Sequence, residues 1–359
     1  MTGKGYKYWS CVSVWMLLVF IQAFVSCNRI EDELDLSDEV RLTATLSPVM
    51  SSVYTKGEIK SDHAGSLGIG LAKVVGQTAD FKNAESSALE ATMGAPDQSL
   101  AGLRDVEFEQ FQGFPNSTDK LNYVAWYPYH YEVRDEQDEM VNAPTFNNPE
   151  TGNSTVTFPI PNDASIDILY SDVTSGTRLS GFKPMTFRHA LVKYTIKVYA
   201  MESDDNPASV ADVWGDIESV VLEGLPSECT LTLPASSAAL PEVSFGGATA
   251  NVTRQAEAIQ EIPVGFSNAS ELTYFLAPPP SGENKILNIK VITEKSPEGK
   301  NVKTSIAREF QKGNSYQIYL RFTTHGIVNA EVVVDEWKDE SDYLHVDTNT
   351  GIFYDLSEG

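Results

Sequence analysis

Residues 40–56 have the sequence VRLTATLSPVMSSVYTK. The first part of this stretch is typical of a β-strand, and the second part is typical of a loop. The larger apolar side chains of the first part fall on alternate positions; they are Val40, Leu42, Ala44 and Leu46. This alternation predicts a β-strand with one face on a core. Ser47-Pro48 ends the pattern, because proline has no backbone N–H to add to a sheet. The simplest interpretation is the first strand of a β domain.

The second part of this stretch is typical of an exposed loop. It is rich in serine and ends with Thr55-Lys56-Gly57, a basic residue beside a glycine. Such composition favours a solvated connection over a strand or helix. Proteases cut preferentially in loops of this kind. Residues 40–56 are therefore predicted to form a first strand followed by a loop that can be cut.

The composition limits the classes of protein to which the chain can belong. The chain has 359 residues, which is typical of about two domains, and 42% of them are hydrophobic, enough to form real cores. Lys and Arg number 26 against 50 Asp and Glu, so the net charge is −24. Nucleic acid is not expected as a partner, since binding phosphate needs a basic patch and none stands out.

Residues 1–27 are predicted to be a targeting segment. Lys4 and Lys7 precede an apolar run at 12–25 that is short for a membrane span. The small residue Ser26 and then Cys27 follow, an order that resembles a bacterial lipoprotein signal in which Cys27 carries the lipid. Simple secretion with cleavage nearby is the alternative. Residues 28–39 are acidic and are interpreted as a tether that resembles an export signal to the outer face of the outer membrane, or as a plain solvated linker.

No catalytic or metal-binding pattern is present in the sequence. Phosphate-binding loops, nucleophile elbows and zinc motifs are missing, so neither an enzyme nor a cofactor is expected. Residues 347–351 approach a calcium loop, but their glycine is one place early and no helices flank them, so no metal is predicted. His189 lies in a predicted strand and is interpreted as structural. Cys229 is the only cysteine after Cys27, so a chain whose Cys27 carries lipid has no second thiol with which to form a disulfide.

Many short alternating segments separated by turn residues follow residue 56. They predict an all-β chain of antiparallel sandwiches, without a helix longer than a few turns. The polar, turn-rich segment 174–184 is the best candidate boundary. We therefore expect an N-terminal β-sandwich domain at 40–178 and a C-terminal one at 179–359.

Several motifs, in order along the chain, resemble the fimbrillin family of Bacteroides-type bacteria. They are Cys27 with its signal, Thr55-Lys56-Gly57, Leu67-Gly68-Ile69-Gly70, Ala125-Trp126-Tyr127-Pro128-Tyr129, Asp167-Ile168-Leu169-Tyr170-Ser171, Phe187-Arg188-His189-Ala190-Leu191, Lys312-Gly313-Asn314-Ser315-Tyr316 and Val334-Asp335-Glu336-Trp337. The resemblance implies two tandem transthyretin-like antiparallel β-sandwich domains and a lipoprotein precursor. It also implies a trypsin-like protease that cuts behind the first strand, where Lys56 stands in this chain. Arg41 and Lys60 are the fallback cleavage sites.

The resemblance further implies assembly with other fimbrial subunits by donor-strand exchange. Cutting at Lys56 would remove the strand that carries Val40, Leu42, Ala44 and Leu46, and a partner's segment would fill the groove. The tail 340–359 offers candidate donor side chains, which are Leu344, Val346, Ile352 and Phe353. A last strand folded on its own domain is the alternative for this tail. The expected location is the outer membrane, through lipid on Cys27, and then the fimbria.

The role within a fimbria is left open between a stalk subunit, a tip or accessory subunit, and an uncut anchor. Adhesion to host or bacterial surface ligands is the expected role of the assembly. A surface lipoprotein that binds glycan for nutrient uptake is the rival interpretation. Its binding residues would be Trp126, Tyr127 and Tyr129, whose rings could stack on sugars if they shared an open face.

Overall fold

The structure is a computed structural model that describes residues 39–46, 59, 63–85, 87–97, 103–116, 118–134, 140–150, 152–201, 207–256, 262–300, 302–335, 344–346 and 353–355. Within these ranges the chain is built from β-strands, with a single α-helix and two short 3-10 turns. The predicted all-β class is confirmed.

The strands are numbered in chain order. They are β1 Leu42–Leu46, β2 Leu67–Val75, β3 Leu89–Met93, β4 Arg104–Phe108, β5 Leu121–Tyr127, β6 Tyr131–Arg134, β7 Met140–Ala143, β8 Thr145–Asn147, β9 Thr155–Pro159, β10 Leu169–Ser171, β11 Thr174–Gly176, β12 Met185–His189, β13 Val192–Ala200, β14 Ile217–Thr232, β15 Glu242–Gln255, β16 Ser270–Ala277, β17 Ile286–Thr293, β18 Lys303–Ala307, β19 Ser315–Thr323, β20 Gly326–Asp335, β21 Leu344–Val346 and β22 Phe353–Asp355. The helix α1 is Pro207–Trp214, and the 3-10 turns are Phe81–Asn83 and Phe266–Asn268.

The first sheet has the order β10-β12-β1-β4-β3-β2-β5-β11. Because β10 also pairs with β5, the first seven strands in this order close into a ring. Strand β11 lies outside the ring and pairs with β5. All pairings in this sheet are antiparallel except that of β1 with β12, which is parallel. The two strands are far apart in sequence, so no hairpin forces them to run in opposite directions.

Two further sheets stack on one another as a sandwich. One has the order β18-β17-β14-β9-β8, and β15 also pairs with β14. The other has the order β16-β13-β19-β20-β21-β22. A small sheet joins β6 and β7. Side chains from β13, β19 and β20 share one buried cluster with side chains from β14 and β17, which places the sandwich core between the two sheets.

The ring and the sandwich also share a core. All seven strands of the ring contribute to one buried cluster inside it. The outward-facing Val124 and Trp126 of β5 instead pack with Phe158 of β9 and Cys229 of β14. Strand β5 is therefore buried on both faces, which explains why its sequence is aromatic and aliphatic without a break from Tyr123 to Tyr127.

Pairings cross the predicted boundary near residue 178 in both directions. Strand β9 precedes the boundary and pairs with β14 of the sandwich, whereas β12 follows it and pairs with β1 and β10 of the ring. The division into domains at 40–178 and 179–359 stays a prediction.

The helix α1 ends where its sequence supplies a glycine. Gly215 has a φ of +63° and its N–H bonds to the carbonyl of Ala211 at 2.8 Å. A left-handed residue that closes a helix in this way is most easily a glycine. The indole Nε1 of buried Trp214 donates to the Thr323 carbonyl at 2.6 Å, which fixes the last turn against β19.

Gly70 on β2 is a position of close approach that can be tested. A Cβ at Gly70 would lie 2.5 Å from the Trp126 ring, whereas a Cβ at Gly68 would meet no atom within 4 Å. We expect Gly70→Ala to lower the free energy of unfolding by about 1–3 kcal/mol, because the buried indole must move. Urea unfolding measures the loss. Gly68→Ala is the matched control, and equal losses for both variants would contradict this account.

Cys229 is a buried free thiol in the core shared by ring and sandwich. Burial is the main cause that raises its pKa to about 12. Since the thiolate is the reactive form, we expect iodoacetamide at pH 8 to modify Cys229 roughly 1,000-fold more slowly than an unperturbed thiol. The chain without residues 1–27 has Cys229 as its only cysteine, which suits the measurement. Guanidinium should restore fast modification, and fast modification of the folded chain would contradict the prediction.

Candidate functional site

The strand β1 lies between β4 and β12 in the ring. It pairs with β4 at Leu42↔Val106, Thr43↔Asp105 and Ala44↔Arg104. It pairs with β12 at Ala44↔Met185, Thr45↔Thr186 and Leu46↔Phe187. Just before it, the N–H of Val40 bonds to the Gln112 carbonyl at 2.8 Å. The ring is therefore closed on this side by one short strand that precedes all the others.

The inward side chains of β1, and that of Val40 just before it, follow the alternation in the sequence. Val40 is 3% exposed, Leu42 2% and Ala44 0%, and Leu46 packs partly buried against the same cluster. Full burial of a Val or Leu side chain contributes about 1.5–3 kcal/mol. Without β1, the apolar side chains of β4 and β12 would face water and the two strands would have unpaired edges.

A buried arginine adjoins this strand. Arg104 of β4, opposite Ala44, is 0% exposed. Its Nη1 donates to the carbonyls of Gly65 at 3.2 Å and Gly94 at 3.0 Å, and its Nη2 donates to the carbonyl of His63. Charge-assisted hydrogen bonds to carbonyls are among the stronger ones in proteins. Arg104 thus fixes the chain that leads into β2.

The chain between β1 and β2 has a second anchor at Ile59. Its N–H donates to Asp167 Oδ2 at 3.0 Å, and its side chain is buried in the cluster inside the ring. The Asp167 side chain is 0% exposed and lies just before β10, with both of its oxygens 3.0 Å from His189 Nδ1. Burial is the main cause that raises the pKa of nearby Tyr127, and the negative charge of Asp167 raises it further.

The other predicted processing residues fall differently. Cys27, Lys56 and the fallback Lys60 lie outside the described residues, as does Ile352. Arg41 is described, and its exposed guanidinium lies 3.7 Å from Glu39. Lipidation, cleavage and strand removal stay predictions.

The predicted donor tail is partly described, through its backbone. Strand β21, with Leu344 and Val346, pairs with β20 at Val332↔Val346 and Val333↔His345. Strand β22, with Phe353, pairs with β21 at the edge of the sheet. The described parts of the tail thus lie as strands on their own chain, with two described residue pairs between β21 and β20.

Trp126 and Tyr127, two of the aromatic residues of the glycan hypothesis, do not share an open face. Trp126 is 1% exposed, belongs to the core between ring and sandwich, and stacks on Phe146 at 5.7 Å. Tyr127 packs on the opposite side, against the cluster inside the ring. Adjacent residues of a strand point to opposite faces. This arrangement removes the observation on which a sugar-stacking platform depended.

In the described ranges, no helix is long and apolar enough to cross a membrane. The same ranges hold no group of three or more His, Cys, Asp or Glu residues arranged to bind a metal ion. The contact of Ile59 with Asp167 and the role of Arg104 were not predicted from the sequence. The only signal in the sequence was an acidic residue in the apolar segment at 166–170 and an arginine at an inward position of β4.

Comparison with solved structures shows the same fold in other proteins. A crystal structure assigned to cell adhesion from Bacteroides uniformis matches with a TM-score of 0.52 and 15% identity, covering 84% of this chain and 98% of that one. A second crystal structure assigned to cell adhesion, from Bacteroides ovatus, matches with a TM-score of 0.51 and 14% identity. This match covers 84% of this chain and 99% of that one. No curated protein sequence matches.

Comparison with family models gives a match over most of the chain. Residues 74–337 fit the model described as fimbrillin-like, a span that includes β3 to β20. This confirms the resemblance inferred from the motifs, and the chain belongs to the fimbrillin-like family.

Proposed function

We propose that this protein is a structural subunit of a cell-surface fimbria with a role in adhesion, and that it has no catalytic activity. Membership of the fimbrillin-like family supports the subunit role, and the assignment of two similar folds to cell adhesion agrees with it. The finer mechanism rests mainly on one observation, the placement of β1. It is the only described strand before Lys56, and it closes the ring between β4 and β12.

In this mechanism the precursor is a lipoprotein held in the outer membrane by an acyl chain on Cys27. A trypsin-like protease cuts after Lys56, and β1 leaves with the lipid anchor. The remaining ring is open between β4 and β12, where both strands present unpaired backbone and an apolar groove. Such an edge favours the addition of another extended segment.

The proposed occupant of the groove is the tail 340–359 of another subunit. Main-chain hydrogen bonds would give affinity, and alternate side chains would set the register in the positions of Val40, Leu42, Ala44 and Leu46. Strand β21 shares two residue pairs with β20. Exchange requires this pairing to open. Head-to-tail contact of this kind does not close on itself and grows into a filament.

The experiment that tests this function measures the N-terminus of the protein recovered from intact cells, with a gel run on unboiled samples. A start at Gly57 together with a ladder of resistant oligomers would support strand removal and polymer growth. A lipidated Cys27 start with monomer alone would contradict the stalk role and indicate an uncut anchor.

A further inference from the structure

Two loops close one end of the ring, which we call the mouth. One loop, 109–116, leads from β4 toward β5, and the other, 177–184, joins β11 to β12. The loops contact each other through Phe114 and Phe182, whose ring centroids are 5.8 Å apart with the planes nearly parallel. Both side chains pack, partly buried, against the cluster inside the ring. Aromatic rings therefore fill the mouth, and the two loops form its outer surface.

Each loop carries an exposed apolar side chain at the mouth. Phe111 is 73% exposed and Leu179 59%, which makes them the two most exposed large hydrophobic side chains of the described ranges. Val75 ends β2 opposite Leu121, the first residue of β5, and is 46% exposed on the same rim. Large apolar side chains that gather at one exposed end of a protein mark a contact surface for another protein or for a membrane.

The described part of the chain begins at this end of the ring. Glu39 forms a β-bridge with Gly113 of the first loop. Eleven residues, 28–38, separate Glu39 from Cys27 in the sequence. A chain of that length spans at most about 40 Å when fully extended. A lipid on Cys27 would therefore tether the ring to a bilayer from the end that carries the mouth.

The charges around the mouth differ from those of the whole chain. In the segments 39–41, 109–120 and 177–184, basic residues outnumber acidic ones by four to three. The basic ones are Arg41, Lys120, Arg178 and Lys183, and the acidic ones are Glu39, Glu109 and Asp119. The whole chain has 26 basic residues against 50 acidic ones. The acidic excess that would repel an anionic lipid surface is therefore missing at the mouth.

We propose that the mouth of the ring is a membrane-contact surface of the anchored precursor. Phe111 and Leu179 enter the boundary between lipid headgroups and acyl chains, and the basic residues beside them contact lipid phosphates. This contact adds to the hold of the single lipidated residue and orients the ring on the bilayer. Its biological meaning rests on the lipid anchor of the proposed function, but the contact can be measured on a chain that is tethered chemically.

The test couples Cys27 to a maleimide lipid in vesicles of phosphatidylethanolamine and phosphatidylglycerol. A chain that starts at Cys27 keeps the whole compact unit, which begins at Glu39, and its other cysteine, Cys229, is buried. Hydrogen exchange followed by mass spectrometry compares this chain with the same chain capped by a soluble maleimide. We expect exchange in 109–116 and 177–184 to become about 10-fold slower on vesicles, the factor that burial of one such side chain implies.

Variants show whether the two apolar side chains cause the slowing. Phe111→Ser and Leu179→Ser, combined in one chain, should abolish it, because both groups that enter the lipid are then lost. Ile286→Ser is the matched control, since Ile286 is 38% exposed on β17 of the sandwich and should leave the slowing unchanged. Exchange in the neighbouring segment 281–285 is the internal reference and should not differ between vesicles and solution. Circular dichroism checks that each variant is folded.

The possible results separate this inference from the proposed function. Equal exchange of both loops on vesicles and in solution would overturn the inference, as would slowing that persists in the double variant. Slowing in the capped, soluble chain that grows with protein concentration would assign the mouth to a second copy of the chain and would also overturn it. A Cys27 that carries no lipid in cells would count against the proposed anchor and would leave the vesicle result unchanged.

Discussion

Replacing Lys56 by glutamine is expected to keep β1 on the chain and to abolish the ladder of oligomers. A trypsin-like protease selects a basic side chain through an acidic specificity pocket, and glutamine has no charge to offer it. We expect the form that starts at Gly57 to fall by at least about 100-fold. The groove between β4 and β12 then stays filled by Val40, Leu42 and Ala44, so no donor segment can enter. The measurement is the N-terminus and the unboiled gel, on cells that express the variant.

Two further variants give this prediction its controls. Lys56→Arg should restore both the cut and the ladder, because arginine suits the same pocket. Lys60→Gln should leave both unchanged if Lys56 is the site. A ladder in Lys56→Gln with a Ser61 start would move the site to Lys60. A ladder whose subunits still start at Cys27 would show that growth does not need removal of β1.

The sequence predicted the parts of this fold that depend on local pattern. Alternation at residues 40–46 predicted β1 and its inward side chains, and the structure buries Val40, Leu42 and Ala44. Polar, turn-rich segments marked the ends of many short alternating segments, and this pattern predicted the all-β class. The family could also be inferred, because motifs such as the one around Trp126 lie in order over most of the chain.

Contacts between distant strands could not be predicted from the sequence. The sequence of β5 did not indicate which elements cover it: the cluster inside the ring buries one face, and the core shared with the sandwich buries the other. Asp167 and His189 each have an ordinary local pattern, and only the pairing of β10 with β12 brings them together. Ile59 lies in a polar stretch after Lys56, where no periodicity indicates a buried residue.

Arg104→Met is expected to cause the largest loss of stability among single changes near β1. The side chain is fully buried, and its guanidinium donates to the carbonyls of His63, Gly65 and Gly94. Methionine has a similar length but no donor, so these carbonyls lose a charge-assisted partner inside the ring. We expect a loss of about 3–5 kcal/mol in the free energy of unfolding, measured by denaturant titration.

The exposed arginine on the same part of the chain supplies the control. Arg41 has a side chain 68% exposed and lies 3.7 Å from Glu39. Surface ion pairs contribute little, so Arg41→Met should change the free energy of unfolding by less than about 1 kcal/mol. Similar small losses for both variants would mean that Arg104 does not hold the chain leading into β2. A large loss for Arg104→Met alone would show that the ring depends on this buried cation next to Ala44.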